Sequence, residues 1–260
     1  MGIGDLIVLL TATQAVAARV GSKAVRIWYD ATYPGAADIW QMGGIEAQAI
    51  AGDTPYPQGY AVIPCRGHIY EALFDAPRPC LYGESTGNPV GQILWTWGWH
   101  LLIGGDTIRP ALYPPVGAIR EAQTIAVNHL PFVTCTPLEV SRSNNDCKAS
   151  QWGNILNQID RGITILFGCV PKENPMLKTM IEGMGLKQKY EILNVPLQTW
   201  GALIDLASAN YTGNSCGMWL SMASRTKTYL LQHADPTHTH NTMWNYKPRW
   251  GCGNMEIINV

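Results

Sequence analysis

The hydrophobic and polar pattern of residues 1–30 predicts a strand, a helix and a second strand. An apolar run covers residues 3–10, and an alanine-rich stretch over residues 13–20 ends at Gly21, which suits a helix C-cap. The alternating run over residues 24–30 predicts the second strand. Strand, helix and strand at this spacing form a βαβ unit with parallel strands.

The second half of the chain alternates between strand and helix patterns. Apolar runs predict strands over residues 130–136, 162–167, 192–195 and 228–232, and helical patterns fill residues 149–158, 175–184, 197–208 and 217–225. Gly168 ends the second of these strands, and Gly185 ends the helix that follows it. Strands that alternate with helices in this way predict a parallel α/β sheet.

Glycine and proline interrupt the pattern between residues 31 and 115. A strand over residues 61–64, a short helix over residues 68–74 and a buried segment over residues 93–103 are predicted there, followed by a linker over residues 110–115. The chain is therefore expected to form two α/β domains, residues 1–125 and residues 126–260. Ligands of such folds bind at the carboxyl ends of the strands, where loops lead into helices.

Charge narrows the classes of partner. The net charge is −1 and charged residues make up 14% of the chain, which argues against a protein held on nucleic acid mainly by phosphate neutralisation. Residues 1–125 carry 7 basic and 10 acidic groups, and residues 126–260 carry 11 and 9, so an anionic ligand is expected in the second half. The low charged fraction also suggests that a partner or a ligand covers part of the surface.

The cysteine and histidine patterns indicate no metal centre. The seven cysteines are odd in number and form no CxxC pair, which predicts a reducing, cytoplasmic compartment rather than a zinc ribbon or a disulfide scaffold. His238 and His240 are expected to lie in a polar loop, and the sequence contains neither a P-loop motif nor an Asp-x-Asp pair. No signal peptide and no membrane span are expected, because the first apolar run is short and contains Thr and Gln.

Groups that suit an anionic ligand stand at four predicted strand-to-helix turns. Glycines permit close backbone approach, a helix N-terminus favours an anion, and cations at a strand end suit a phosphate. The residues are Gly4 and Asp5 at the first turn, Arg142 and Lys148 at the second, Glu173 at the third, and Asn214, Ser215, Cys216 and Gly217 at the fourth.

Most of these residues also have a purely structural explanation. Asp5 suits a helix N-cap, and Glu173 suits a cap of the helix that follows it. Arg142 and Lys148 are typical of a solvated loop. The residues alone therefore leave both explanations open.

Taken in order, these segments resemble the ADP-heptose:lipopolysaccharide heptosyltransferase family of glycosyltransferases. That family has the GT-B fold, in which two Rossmann-like domains with parallel sheets face each other across a cleft. The resemblance covers most of residues 1–30 and 130–235. In chain order the matching segments are Gly2-Ile3-Gly4-Asp5-Leu6-Ile7 with Leu10-Thr11, residues 132–137, Lys148 with Trp152, residues 163–173, residues 197–205, Asn214-Ser215-Cys216-Gly217 and residues 226–231.

On the acceptor side, the resemblance implies that Asp5 is the general base. A carboxylate within hydrogen-bond reach of the acceptor hydroxyl takes its proton as the new C–O bond forms. Gly4, Thr11 and His68 are expected to lie on the same acceptor side.

On the donor side, the resemblance implies contacts to a nucleoside diphosphate that carries the sugar. Lys148, with Arg142, is implied to neutralise the leaving diphosphate, and Glu173 to contact the ribose. The turn over residues 214–217 is implied to hold the diphosphate through its N–H groups. Beyond this co-substrate, no cofactor and no metal are implied.

Two departures from the family pattern leave the substrates open. Ser215 stands where the family has an aspartate, and Trp219 stands near the place of a family histidine. These positions contact the donor sugar and phosphate, so the donor is not fixed as ADP-heptose. The chain is also shorter than family members, and the acceptor is open between a saccharide and a modified nucleic-acid base.

Two other classes of protein remain as alternatives. A non-catalytic binding or assembly protein, such as a shell protein, would suit the low charged fraction and the ten tryptophans. A cysteine hydrolase would use Cys216 as nucleophile, whose pKa a helix start lowers. It would also need a basic histidine such as His68 or His233.

Overall fold

The computed structural model describes residues 3–21, 25–30, 35–50, 110–138, 147–213, 215–232 and 254–260. The chain divides into two compact units at Tyr113 and Pro114, inside the segment where prolines predicted a linker. The expected division after residue 125 would cut helix α3 (Val116–His129). That helix packs on α6 (Leu197–Leu206) of the second unit, so the boundary lies before α3.

The first unit begins with one long helix, α1 (Ile3–Val20). The predicted strand over residues 3–10 is therefore wrong, and the predicted helix is only the second half of α1. A continuous apolar run does not distinguish a buried strand from a buried helix, and the side chains of residues 6–10 are all buried. Gly21 ends α1 as predicted, with a φ of 91° and an N–H bonded to the Ala17 carbonyl at 2.9 Å.

A parallel βαβ unit follows α1. It begins with the strand that the sequence predicted as the last element of such a unit. It consists of β1 (Arg26–Asp30), α2 (Ala36–Met42) and β2 (Glu46–Ile50), and β1 pairs with β2 in parallel. The predicted strand over residues 24–30 is thus confirmed as β1. Gln14 connects α1 to two later segments of the chain, because its amide nitrogen donates to the carbonyls of Gly43 (2.9 Å) and Ala111 (2.7 Å).

The second unit is a parallel α/β sheet with helices on it. Its elements are α3, β3 (Phe132–Thr136), α4 (Ala149–Leu156), β4 (Thr164–Gly168), a 3₁₀ turn (Pro171–Glu173), α5 (Asn174–Met184), β5 (Tyr190–Leu193), α6, β6 (Asn210–Thr212), α7 (Cys216–Ser221), β7 (Thr228–Gln232) and β8 (Met255–Asn259). The strand order is β5-β4-β3-β6-β7-β8, and every pair is parallel. This order is that of the doubly wound Rossmann fold, whose strand order reverses between β3 and β6.

Burial explains why these segments form a sheet. Every residue of β3 and β4 is buried, as expected for strands covered on both faces. Trp152 and Leu156 of α4 and Leu177 and Ile181 of α5 form the core over one face. The alpha/beta class predicted for this half is therefore observed.

The predicted elements of the second half are confirmed, with shifts at their ends. The third predicted strand is displaced toward the N-terminus as β5, and the predicted helix over residues 217–225 is the shorter α7. The pattern did not predict α3, β6 or β8. The elements predicted at residues 61–64, 68–74 and 93–103 lie outside the described residues.

Candidate functional site

The carboxyl edge of the six-stranded sheet contains a topological switch point. Thr136 ends β3 and Thr212 ends β6, and the two residues are paired in register. The connection after β3 leads through α4 to β4 on one side of this pair. The connection after β6 leads through α7 to β7 on the other side. Crevices at such points are where open α/β sheets bind their ligands.

Hydrogen bonds fix the turn after β6 to the end of β3. The Thr136 carbonyl accepts the Gly213 N–H at 3.1 Å and the Ser215 hydroxyl at 3.3 Å. The hydroxyls of Ser215 and Thr212 are 3.0 Å apart. The β6–α7 turn is therefore held in one position relative to β3, as a preorganised binding loop requires.

Gly217 allows the first turn of α7 to touch both strands. A Cβ atom at this position would lie 2.3 Å from Thr136 Oγ1 and 3.1 Å from Thr212 Oγ1. The carbonyl of Gly217 accepts the Asn210 side-chain amide at 3.4 Å. This close packing explains why residue 217 is a glycine.

The Thr136 hydroxyl is an unsatisfied polar group at this edge. Thr136 is 5% exposed, and its Oγ1 has no hydrogen-bond partner within the described ranges. Buried polar groups usually have a partner, and an exception calls for an explanation such as a water or a ligand. Sequence reasoning missed Thr136, because threonine at a strand end looks like an ordinary β-branched strand residue.

Glu173 lies close to two thiols at the same edge. Burial raises the pKa of its carboxyl, while the Val170 backbone N–H and Lys172 oppose that shift. The Glu173 charge in turn adds to burial in raising the pKa of Cys169 and of Cys216, each to about 11. The Glu173 charge therefore acts on one thiol in the loop after β4 and on one at the start of α7.

These thiols are unsuited to act as nucleophiles at neutral pH. The thiolate is the reactive form, and a pKa of about 11 keeps Cys216 protonated. The Cys169 thiol donates to Asn174 Oδ1 at 2.9 Å. His129, the one histidine in the described ranges, lies before β3 and 3.4 Å from Glu191, at the opposite end of the strands from Cys216. The other histidines, His68 and His233 included, lie outside those ranges.

Lys148 stands immediately before α4, in the connection that follows β3. It is exposed, and its backbone N–H donates to the Gln151 side chain at 2.7 Å. A cation at a helix N-terminus opposes the helix dipole, where Ser, Thr, Asp or Asn is preferred. A local rule broken in this way is typical of a functional position.

The structure brings five predicted donor-side residues to one edge of one sheet. They come from three separate connections and are Lys148, Glu173, Ser215, Cys216 and Gly217. The remaining donor-side predictions, Arg142 and Asn214, lie outside the described residues.

The acceptor-side predictions meet a different local structure. Asp5 lies in the first turn of α1, after the helix has begun at Ile3, and not at its N-cap. Gly4 is buried in the same turn, and the buried Thr11 hydroxyl donates to the Ile7 carbonyl at 2.8 Å. His68 lies outside the described residues.

Two solved glycosyltransferases are similar in fold. One is a glycosyl transferase of family 9 from Veillonella parvula DSM 2008, at 12% identity and a TM-score of 0.48 over 65% of this chain and 49% of that one. The other is the ADP-heptose LPS heptosyltransferase II of E. coli, at 14% identity and a TM-score of 0.46 over 58% and 45%. The chain therefore spans about half the length of either structure.

No protein-family model matches this sequence, and no curated protein matches it.

Among the described residues, no three or more His, Cys, Asp or Glu side chains come together as a metal site would require. The histidines around His238 and His240 lie outside those residues. In the same part of the chain, no helix is both long and apolar enough to cross a membrane.

Proposed function

We propose that this protein is a metal-independent glycosyltransferase that moves a sugar from a nucleoside-diphosphate donor to an acceptor hydroxyl. One observation carries the proposal. Lys148, Glu173 and the turn that ends at Gly217 are far apart in sequence, yet they lie at the carboxyl edge of one doubly wound sheet. That edge is where such a sheet binds a nucleotide.

In this proposal the donor lies over the switch point with its diphosphate toward Lys148. The exposed ammonium neutralises the charge that develops on the leaving diphosphate, and the phosphate relieves the unfavourable placement of Lys148 at the start of α4. The Arg142 side chain is a second cation for the same role. A lysine in this role makes a bound metal unnecessary.

Glu173 is the proposed ribose ligand. Its carboxyl is half-buried after β4, and a carboxylate in the connection after the second strand of a Rossmann sheet is placed to accept hydrogen bonds from a ribose diol. The turn over residues 214–217 contributes its backbone N–H groups. The Ser215 hydroxyl is already bonded to Thr136 and Thr212, so its part is to hold the turn.

The acceptor side of the proposal rests on the sequence resemblance. Asp5 is the proposed general base, with Gly4 and His68 near the acceptor. Thr11 is left out, because its hydroxyl is buried and bonded within α1. The acceptor is a saccharide or a modified nucleic-acid base, and cytoplasmic donors would supply the sugar.

A thermal-shift screen with nucleoside diphosphates and nucleotide sugars tests the proposal directly. A ligand at 100 times its dissociation constant adds about 2.7 kcal/mol to the free energy of unfolding. We expect one nucleotide to raise the melting temperature selectively, equally well with EDTA and with Mg²⁺. Release of that nucleoside diphosphate from its sugar donor then reports transfer.

The opposite result would favour a binding or assembly protein. No response to any nucleotide, together with a large homo-oligomer by light scattering, would overturn the glycosyltransferase proposal. A response that appears only with Mg²⁺ would overturn its metal independence.

A further inference from the structure

A cluster of polar side chains lies where β4 and β5 end, beside the proposed ribose ligand. Gly168 and Leu193 are the last residues of these strands and are paired in register. Cys169 and Asn194 follow them directly, and Asn174 begins α5. Asn194 is exposed, and the other two side chains are half-buried. We call Cys169, Asn174 and Asn194 the β4–β5 cluster.

The Cys169 thiol fixes the orientation of the Asn174 amide. Its Sγ donates to Asn174 Oδ1 at 2.9 Å, and Asn194 Oδ1 lies 3.9 Å from the same sulfur. Burial and the Glu173 charge raise the pKa of Cys169 to about 11, so the thiol is protonated and acts as a donor. A donor selects the amide oxygen and not the amide nitrogen. The Asn174 nitrogen is therefore held on the side of the amide that faces away from the sulfur.

The two amide nitrogens of the β4–β5 cluster are left as donors. Within the described part of the chain, no hydrogen bond occupies Nδ2 of Asn174 or of Asn194. An amide nitrogen carries two N–H donors and does not accept. Both amide oxygens contact one sulfur atom, so the two amides are neighbours. The cluster therefore suits a ligand whose facing edge carries hydrogen-bond acceptors.

An apolar side chain stands next to these donors. Val170 follows Cys169 in the same loop and is 47% exposed. Binding sites for small molecules combine apolar contact area with a few placed polar groups. A flat heterocyclic ring fits this combination, because its face is apolar and its edge forms hydrogen bonds.

The order of the strands places the base of the donor nucleotide at this cluster. This step rests on the proposed function, in which the diphosphate lies at the switch point and Glu173, after β4, contacts the ribose. The base and the diphosphate are attached to opposite sides of a ribose. The sheet continues from β4 to β5 on the side away from the switch point, about 4.8 Å further on. The base therefore lies over the ends of β4 and β5.

We propose that Asn174 and Asn194 select a donor base with a ring carbonyl at the edge far from the ribose, as in uracil or guanine. Cytosine and adenine carry an amino group at that edge. A carbonyl accepts from an amide nitrogen, whereas an amino group facing that nitrogen leaves two donors unpaired. Cys169 is a positioning residue, since it acts through the Asn174 amide. This selection disfavours ADP as the nucleotide of the donor.

Isothermal titration of the full chain with four nucleoside diphosphates tests the selection. UDP and CDP form one pair and IDP and ADP the other, and in each pair a carbonyl replaces an amino group on the same ring. The pair that binds more tightly identifies the ring size. Within it, we expect the carbonyl member to bind about tenfold more tightly, or more.

The outcomes separate this inference from the proposed function. Equal affinities within the pair that binds more tightly, or a preference for its amino member, overturn the selection and leave nucleotide binding in place. No binding of any of the four nucleotides overturns the proposed function together with the selection.

Asn174→Asp tests the residue itself. The variant keeps an oxygen for the Cys169 thiol but replaces the amide donor with an acceptor, so the ratio of carbonyl to amino affinity should fall by about tenfold. A general loss of binding or stability does not change this ratio. Asn128→Asp is the matched control, because Asn128 is an exposed asparagine of α3 at the other end of β3, and it should keep the ratio. A wild-type ratio in Asn174→Asp overturns the proposal.

Two variants of Cys169 test the positioning role. In Cys169→Ala the Asn174 amide is free to rotate and offers either atom, so the affinity ratio should fall toward one. Cys169→Ser retains a hydroxyl donor at the same place and should keep most of the ratio. A wild-type ratio in Cys169→Ala overturns the role of Cys169.

Discussion

Gly217 and Thr136 bring the start of α7 into direct contact with the end of β3. A methyl group on Gly217 would lie 2.3 Å from the Thr136 hydroxyl oxygen and 2.9 Å from its Cβ. Thr136 is buried, and its Cβ is fixed to the strand, so it has little room to retreat. The contact sets the distance between α7 and the switch point of the sheet.

Gly217→Ala should therefore destabilise the second unit. Overpacking a buried contact costs about 1–3 kcal/mol, and urea unfolding followed by circular dichroism measures the loss. Adding Thr136→Ala should recover part of it, because the nearest atom is then absent. Gly117→Ala is the control, since no atom lies within 4 Å of its position, and it should stabilise α3 by about 0.4–1 kcal/mol. Equal stability of Gly217→Ala and wild type would show that α7 can move.

A second glycine, Gly153, marks an even closer contact between α4 and α5. Its Cβ would lie 2.1 Å from the carbonyl oxygen of Met184, and a backbone atom cannot rotate away as a side chain can. We expect Gly153→Ala to cost about 3 kcal/mol, at the upper end of overpacking losses. Urea unfolding is again the measurement, and a cost below that of Gly217→Ala would contradict the distinction between backbone and side-chain neighbours.

Strands β3 and β4 of the second unit were predictable because they are buried on both faces. Such strands show as short apolar runs bounded by glycine or proline, and β4 illustrates this. It ends at Gly168, where a Cβ would lie 2.5 Å from the Trp200 ring. The glycine that marks the strand end in the sequence is thus required by a helix packed over it.

Two features of the sequence explain the wrong or missing predictions: polar residues inside a strand, and an apolar run that fits both a strand and a helix. β6 is three residues long, and Asn210 and Thr212 at its ends are buried with their polar groups bonded to Thr134 and to the next turn. Their polar character concealed a central strand. At residues 3–10 a strand was predicted where a helix is observed. A continuous run of apolar side chains fits a strand and a buried helix equally well.

The sequence predicted where residues of the candidate site lie, but not which hydrogen bonds they make. Lys148 and Glu173 follow strands, and the rule that ligands bind at carboxyl ends of strands places them without coordinates. That Ser215 would bond to Thr136 and Thr212 depends on the register of β3 with β6. This register links residues more than seventy positions apart, and no local pattern encodes it.

Lys148→Ala separates binding from stability. Loss of one charged phosphate contact should weaken nucleoside diphosphate binding by about 1.5–3 kcal/mol, measured by isothermal titration calorimetry. Removing a cation from the start of α4 should also raise the free energy of unfolding slightly, by about 0.3–1 kcal/mol. Lys187→Ala is the matched control, because Lys187 is also exposed but follows α5 on the way into β5, at the other edge of the sheet. Equal losses of affinity in both variants would remove Lys148 from the donor site.

Alkylation of Cys216 tests the electrostatics of the carboxyl edge. Burial and the Glu173 charge raise the pKa of this thiol to about 11, so at pH 8 about one thiol in a thousand is the reactive thiolate. Iodoacetamide labelling, followed by peptide mass spectrometry, should still accelerate between pH 9 and pH 11. Glu173→Gln removes a negative charge, lowers the pKa and should speed labelling of Cys216 and Cys169 at pH 8, whereas Glu182→Gln on α5 should not. Rapid labelling of wild-type Cys216 at pH 7 would contradict the raised pKa and restore Cys216 as a candidate nucleophile.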